Sequence, residues 1–172
     1  MFYIKTKYLK IIGIAISPFL LCSLIFAKTD VLFSPRGLIQ NSIIEHINSS
    51  QDSIDMAVFV FSSGEIAEAL FKAKERGVKI RIVLDSKQQK RENTILWFLN
   101  EENFDLKFLK GSIGGFMHNT FAVFDANIIA TGSYTLTEHS EKFNYENVIF
   151  TNEPEVVEKF QKEFESLYQK GI

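Results

Sequence analysis

A single cysteine, Cys22, excludes an internal disulfide, so the fold has to rest on its core even in an oxidising compartment. Charge of one sign is lacking too. The formal net charge is −2 and acids and bases are interspersed, so neither an acidic tail nor a basic arm marks a partner. No cluster of Cys, His and carboxylate stands at ligand spacing, so neither a metal nor another cofactor is expected. Internal repeats and low-complexity segments are absent as well. Long apolar runs are missing except for one, from Ile11 to Ala27.

That run follows Lys5, Lys7 and Lys10 and ends in a small residue, the pattern of a secretory signal. It is also about as long as the shortest membrane-spanning helices, roughly 17 residues, so an uncleaved anchor fits equally. Residues 1–27 are therefore expected to export the protein, to the periplasm or beyond, or to hold it at a membrane. Leu21 stands before Cys22 where a lipoprotein signal requires a small residue. Removing the segment removes three lysines and the cysteine, carrying the net charge from −2 to about −5.

The remainder, residues 31–172, is the size of one domain, and 46% hydrophobic and 13% aromatic content suffices for a core. From Pro35 to Ser49, Leu38, Ile39, Ile43, Ile44 and Ile47 recur at helical spacing, with Ser34 as N-cap and Pro35 at the first helical position. "SIDMAVFVF" (53–61) reads as a buried strand, "SGEIAEALFKAKERG" as a helix ending near Gly77, and "VKIRIVLD" (78–85) as a second strand. Strand, helix, strand over this length is a βαβ unit, which makes its two strands parallel neighbours. The expected fold class is therefore α/β, with a mixed, mainly parallel central sheet flanked by helices. Further on, "QQKRENTILWFLNEE" predicts a helix and "FDLKFL" a short strand, before a flexible loop, "GSIGG". "TFAVFD" and "NIIATGS" follow as strands joined by a tight turn at Ala126 and Asn127. "ENVIF" adds another, and Pro154 to Gln169 form a closing helix.

His118 stands at the mouth of a strand, directly after the glycine-rich loop. Alone, it would be an ordinary half-buried histidine. Asp125 closes the same strand, Ser133 follows Gly132 at the end of the next, and Glu146 opens the strand after that. All are expected at strand ends, where a sheet presents side chains to a shared crevice.

The series His118, Asp125, Gly132, Ser133 and the "ENV" of Glu146 to Val148 resembles the phospholipase D superfamily, whose signature is H-x-K-x4-D, then a glycine-serine pair, then a glutamate. The βαβ segment likewise resembles small bacterial nuclease-like members. The resemblance implies a phosphodiesterase in which His118 attacks phosphorus to give a phosphohistidine, while a second histidine protonates the leaving group and then activates water. It also implies that no metal takes part. Glu146 is the candidate to fix the tautomer of the nucleophile, and Ser133 to donate to a non-bridging phosphate oxygen. Asp125 is expected to hold loop geometry. With one motif per chain, and neither His46 nor His139 set in a second copy, the two histidines imply a two-fold homodimer.

Two positions depart from that pattern. Thr120 stands where the family has its phosphate-gripping lysine, and Thr135 where many relatives have asparagine. Losing one transition-state donor typically costs roughly 10²–10³ in rate. Three readings follow: a working enzyme in which another lysine, Lys110 or Lys142 being nearest in sequence, replaces the cation; an impaired relative that binds phosphate-bearing ligands without efficient turnover; or a membrane-tethered structural dimer. The resemblance implies a phosphodiester substrate, of phospholipid or nucleic acid. The acidic balance of the mature domain argues against a broad nucleic-acid track. Phe116, Met117, Phe121 and Phe124 are candidates either for acyl-chain contact or for the core.

Overall fold

The computed structural model describes residues 27–36, 38–90 and 94–172. The expected export or anchor segment thus lies outside the described residues, apart from Ala27. A seven-stranded sheet in the order β1-β7-β6-β5-β2-β3-β4 runs through the molecule. Strands β2 (Ser53–Val58), β3 (Lys79–Asp85) and β4 (Asp105–Leu109) are parallel neighbours, linked through helices α2 (Gly64–Glu75) and α3 (Thr94–Glu101). Strands β5 (Thr120–Phe124), β6 (Ile128–Gly132), β7 (Asn147–Thr151) and β1 (Thr29–Phe33) form the antiparallel half, joined to β2 through β5. Helix α1 (Ile39–Ser49) precedes β2, the short α4 (Glu138–Lys142) precedes β7, and α5 (Pro154–Lys170) closes the chain.

The mixed α/β class is as expected, but parallel pairing is confined to the βαβ half: two neighbouring pairs are parallel and four antiparallel. Helical crossovers generate parallel neighbours, whereas the hairpin β5–β6 and the short returns after it can only generate antiparallel ones.

Period-two alternation sorts the strands between two cores. Ile54, Met56 and Val58 of β2, with Ile80, Ile82 and Leu84 of β3, face Ile39, Ile43 and Ile47 of α1 and Ile66 and Leu70 of α2. Ala57, Val83, Phe121, Val123 and Ile129 face the other way, onto Val157, Phe164 and Leu167 of α5. Phe121 and Phe124 are thus core residues, and so is Met117. Phe116 is 47% exposed.

Several boundaries differ from expectation for identifiable reasons. Helix α1 begins at Ile39, not Pro35, because the Ser34 hydroxyl is used elsewhere: it donates to the Asn144 carbonyl and accepts from the Glu146 amide. Strand β1 was not expected; it is a short, mostly exposed edge strand without a buried alternation. The β5–β6 turn is centred on Asp125 and Ala126, both at positive φ (49° and 50°), with the Asn127 amide returning to the Phe124 carbonyl. The long helix expected before β4 is a 3₁₀ turn over Ser86–Lys90 followed by the shorter α3.

The registers decide where a site can form. Val58 lies opposite Thr120, Phe121 opposite Thr131 and Gly132 opposite Val148. The C-terminal ends of β2, β3, β4 and β6 therefore share one edge of the sheet with the beginnings of β5 and β7.

Candidate active site

Gly132 ends β6 beneath the Asn147 carbonyl, and a β-carbon there would stand 2.0 Å from that oxygen. Only glycine permits the approach. The amide of Ser133 then donates to the same carbonyl at 3.1 Å. The Ser133 hydroxyl donates to Glu146 Oε2 at 2.6 Å and accepts from the Asn147 amide at 3.2 Å. Glu146 Oε1 accepts from Asn144 Nδ2 at 2.9 Å. Serine and carboxylate are thus bonded across the β6–β7 edge.

His118 precedes β5 on the same edge and is exposed. Its ring lies 4.2 Å, centroid to centroid, from Phe59, which in turn meets Phe116 edge-on at 5.6 Å. The backbone beneath it is fixed from below. Asp85, 1% exposed at the end of β3, accepts the Met117 amide on Oδ2 at 2.8 Å and the Lys87 amide on Oδ1 at 3.0 Å. The loop before it closes on itself through the Gly111 amide to the Gly115 carbonyl and the Gly115 amide to the Ser112 carbonyl. Ile113 and Gly114 take positive φ within that loop.

His118, Ser133, Glu146 and Thr120 therefore come to one edge. Among the described residues no hydrogen bond joins Glu146 to His118, and both carboxylate oxygens are engaged within the β6–β7 region. The Ser133 proton, expected on a phosphate oxygen, points at Glu146 in the unliganded chain. Thr120 opens β5 opposite Val58 and offers its carbonyl to the Thr131 hydroxyl.

Two residues expected at the crevice are elsewhere. Asp125 lies at the other end of β5, on the opposite edge of the sheet. Its carboxylate accepts the amides of Gln51, Asp52 and Ser53 at 2.8–3.2 Å. Burial alone would raise its pKa, but the three amides outweigh it and hold the carboxyl below its ordinary 3.8. Thr135 is turned away onto α4, its hydroxyl 2.6 Å from that of Ser140. His46 lies far from the crevice, stacked on Phe124 and Phe150, and burial lowers its pKa below 6.5. His139 packs on Phe143 of its own helix end.

Asp85 and Phe59 were missed in the sequence. An acid closing the buried apolar stretch of Ile82, Val83 and Leu84 was the available signal for Asp85. Tyr134, next to Ser133, is 1% exposed, and burial together with the nearby Glu141 carboxylate raises its phenol pKa well above 10.

An exposed imidazole on a pinned backbone thus shares one edge of a mixed sheet with a serine–glutamate pair. Residues 43–168 match the family described as cardiolipin synthase, PLD-like domain, and the chain belongs to the phospholipase D superfamily. It is 32% identical to a mitochondrial cardiolipin hydrolase of Xenopus laevis over 155 residues, 90% of this chain and 70% of that protein. It is 30% identical to a phospholipase D of Rickettsia conorii over 157 residues, covering 91% and 78% of the two chains. Its fold superposes on Nuc from Salmonella typhimurium, a phospholipase D family member, with a TM-score of 0.78 at 25% identity, covering 86% and 97%. NucT from Helicobacter pylori gives the same TM-score at 24% identity, covering 86% and 99%.

Proposed function

We propose that the protein hydrolyses phospholipid phosphodiesters, with His118 as nucleophile in a homodimeric site. The carrying observation is the exposed His118 imidazole held on the same sheet edge as the Ser133–Glu146 pair. A ring nitrogen of His118 attacks phosphorus, the P–O bond to the leaving alcohol breaks, and the His118 of the second copy delivers the proton to that oxygen. Water, deprotonated by that same second histidine, then cleaves the P–N bond and returns both rings to their starting state. Ser133 turns its hydroxyl from Glu146 to a non-bridging oxygen as charge accumulates there.

A lipid substrate is supported by the names of the relatives, a cardiolipin hydrolase and a phospholipase D. The exposed Phe116 beside the crevice supplies apolar contact of the kind an acyl chain needs. The apolar segment within residues 1–27 fits export or tethering to a membrane. For the second copy, exposed Phe33, Phe143 and Tyr145 flank the Glu146 end of the sheet and offer an apolar contact surface. Thr120 supports the alternative, binding of phosphate-bearing ligands without efficient turnover.

The test is hydrolysis of cardiolipin-containing vesicles, a labelled single-stranded oligonucleotide and a simple aryl phosphodiester by wild type, His118→Ala and Thr120→Lys. Vesicle hydrolysis lost in His118→Ala supports the proposal. Turnover only in Thr120→Lys selects the binding reading, and preference for the oligonucleotide overturns the lipid assignment. Sedimentation as a monomer at active concentrations would sink the dimer.

A further inference from the structure

With Thr120 in place of the motif lysine, the site needs a cation from elsewhere. The ammonium of Lys142 is already paired with Glu138 one helical turn away. We infer that Lys87 grips the phosphate in its stead, an assignment that rests on the phosphodiester reading of the His118 site.

Two independent connections bring Lys87 to His118. The first is through the backbone: one buried carboxylate, Asp85, takes the amide of Lys87 on one oxygen and that of Met117, the neighbour of His118, on the other. The second is through side chains. The Lys87 ammonium lies 3.8 Å from the centre of the Phe116 ring, Phe116 meets Phe59 at 5.6 Å, and Phe59 meets His118 at 4.2 Å. Cation and imidazole are thus linked through the rings of Phe116 and Phe59.

The surroundings of Lys87 suit the task. Among the described residues its ammonium makes no ion pair, and the oxygens of the nearby Asp85 carboxylate accept backbone amides. A cation on an aromatic face is oriented but remains available, for the ring contributes about 0.5–1 kcal/mol at exposed sites. A phosphate oxygen offers a stronger, charge-assisted bond, so the ammonium moves from ring to phosphate when substrate arrives. The open groove beside it is lined by Lys87, Lys110 and Lys170. In a dimer each copy brings its own Lys87, restoring at both halves the positive charge that Thr120 removed.

The test is a cycle of Lys87→Ala and Thr120→Lys, read both as kcat/KM on an aryl phosphodiester and as affinity for inorganic phosphate, with His118→Ala as the catalytic control. Lys87→Ala should lower kcat/KM by roughly 10²-fold and weaken phosphate binding about tenfold or more. Lys87→Arg should retain most of both. In the Thr120→Lys background the loss should shrink to a few-fold, because the second cation makes Lys87 redundant. Phosphate binding reads the assignment even if the wild type shows no turnover, a result that would fail the enzymatic reading alone. An unchanged affinity in Lys87→Ala, an equal loss in both backgrounds, or a loss that falls instead on Lys110→Ala would each overturn it.

Discussion

The carboxylate of Asp85 and the amide of Met117 meet at 2.8 Å beneath the sheet edge, 32 residues apart in sequence, and the residue after that amide is His118. Asparagine at 85 keeps the shape but turns one accepting oxygen into an NH₂ group that faces a backbone N–H. An unsatisfied buried donor costs about 1–3 kcal/mol. Asp85→Asn should therefore lower stability by that amount, speed hydrogen exchange at the Met117 amide, and reduce kcat by tenfold or more as the proposed nucleophile loosens. Unchanged exchange at Met117 would show that the bond does not hold the loop.

Gly132 makes the reciprocal case on the other side of the crevice. The atoms nearest an added β-carbon are backbone, Asn147 O at 2.0 Å and Asn147 C at 2.8 Å, so β7 itself would have to move. Gly132→Ala should cost about 1–3 kcal/mol and depress the rate by displacing Ser133. Gly64→Ala is the control, because its nearest neighbour is the end of Ile95 at 4.0 Å. Equal thermal midpoints for the two variants would refute the close approach.

The βαβ half was legible because Ile54, Met56, Val58, Ile80 and Ile82 carry their burial in a local pattern. The sheet's antiparallel majority was less so, since edge strand β1 is exposed and has no such alternation. His118, Ser133 and Glu146 stood out through spacing along the chain. Asp125 shares the motif with His118, yet a strand separates them and carries them to opposite edges. The contacts that pin the site, Asp85 to Met117 and Lys87 to Phe116, join residues about thirty positions apart and leave no periodic trace in the sequence.

Asp125 sits at positive φ (49°) and ties the β5–β6 turn to the chain entering β2. Alanine removes the acceptor and favours left-handed backbone less than Asp or Asn. Because Gln51 and Asp52 are exposed, solvent partly replaces the lost bonds, and Asp125→Ala should cost about 1–2 kcal/mol, with Asp125→Asn costing less. The lowered carboxyl pKa makes its contribution full above pH 3.8 and lost as pH falls through the folded-state value. Acid titration of unfolding should accordingly be steeper in wild type than in Asp125→Asn. The rate per folded molecule should stay unchanged, and a large loss of turnover without loss of stability would return Asp125 to the chemistry.

His46 sets opposing effects against one another. It lies in the last turn of α1, where the helix dipole favours a cation. Glu45 and Asp30 also favour the charged ring, and Lys28 opposes it. Burial is the largest effect, and with the ring stacked on Phe124 at 5.4 Å and Phe150 at 4.9 Å it wins, lowering the pKa below 6.5. For a depressed histidine the unfolded chain takes up its proton first, so the contribution to stability is full above pH 6.5 and is lost as pH falls through the folded-state value. Urea midpoints between pH 7.5 and 4.5 should fall more in wild type than in His46→Phe, which fills the same apolar slot and cannot titrate. Parallel curves for the two proteins would mean that the neutral ring at position 46 is not what acid attacks first.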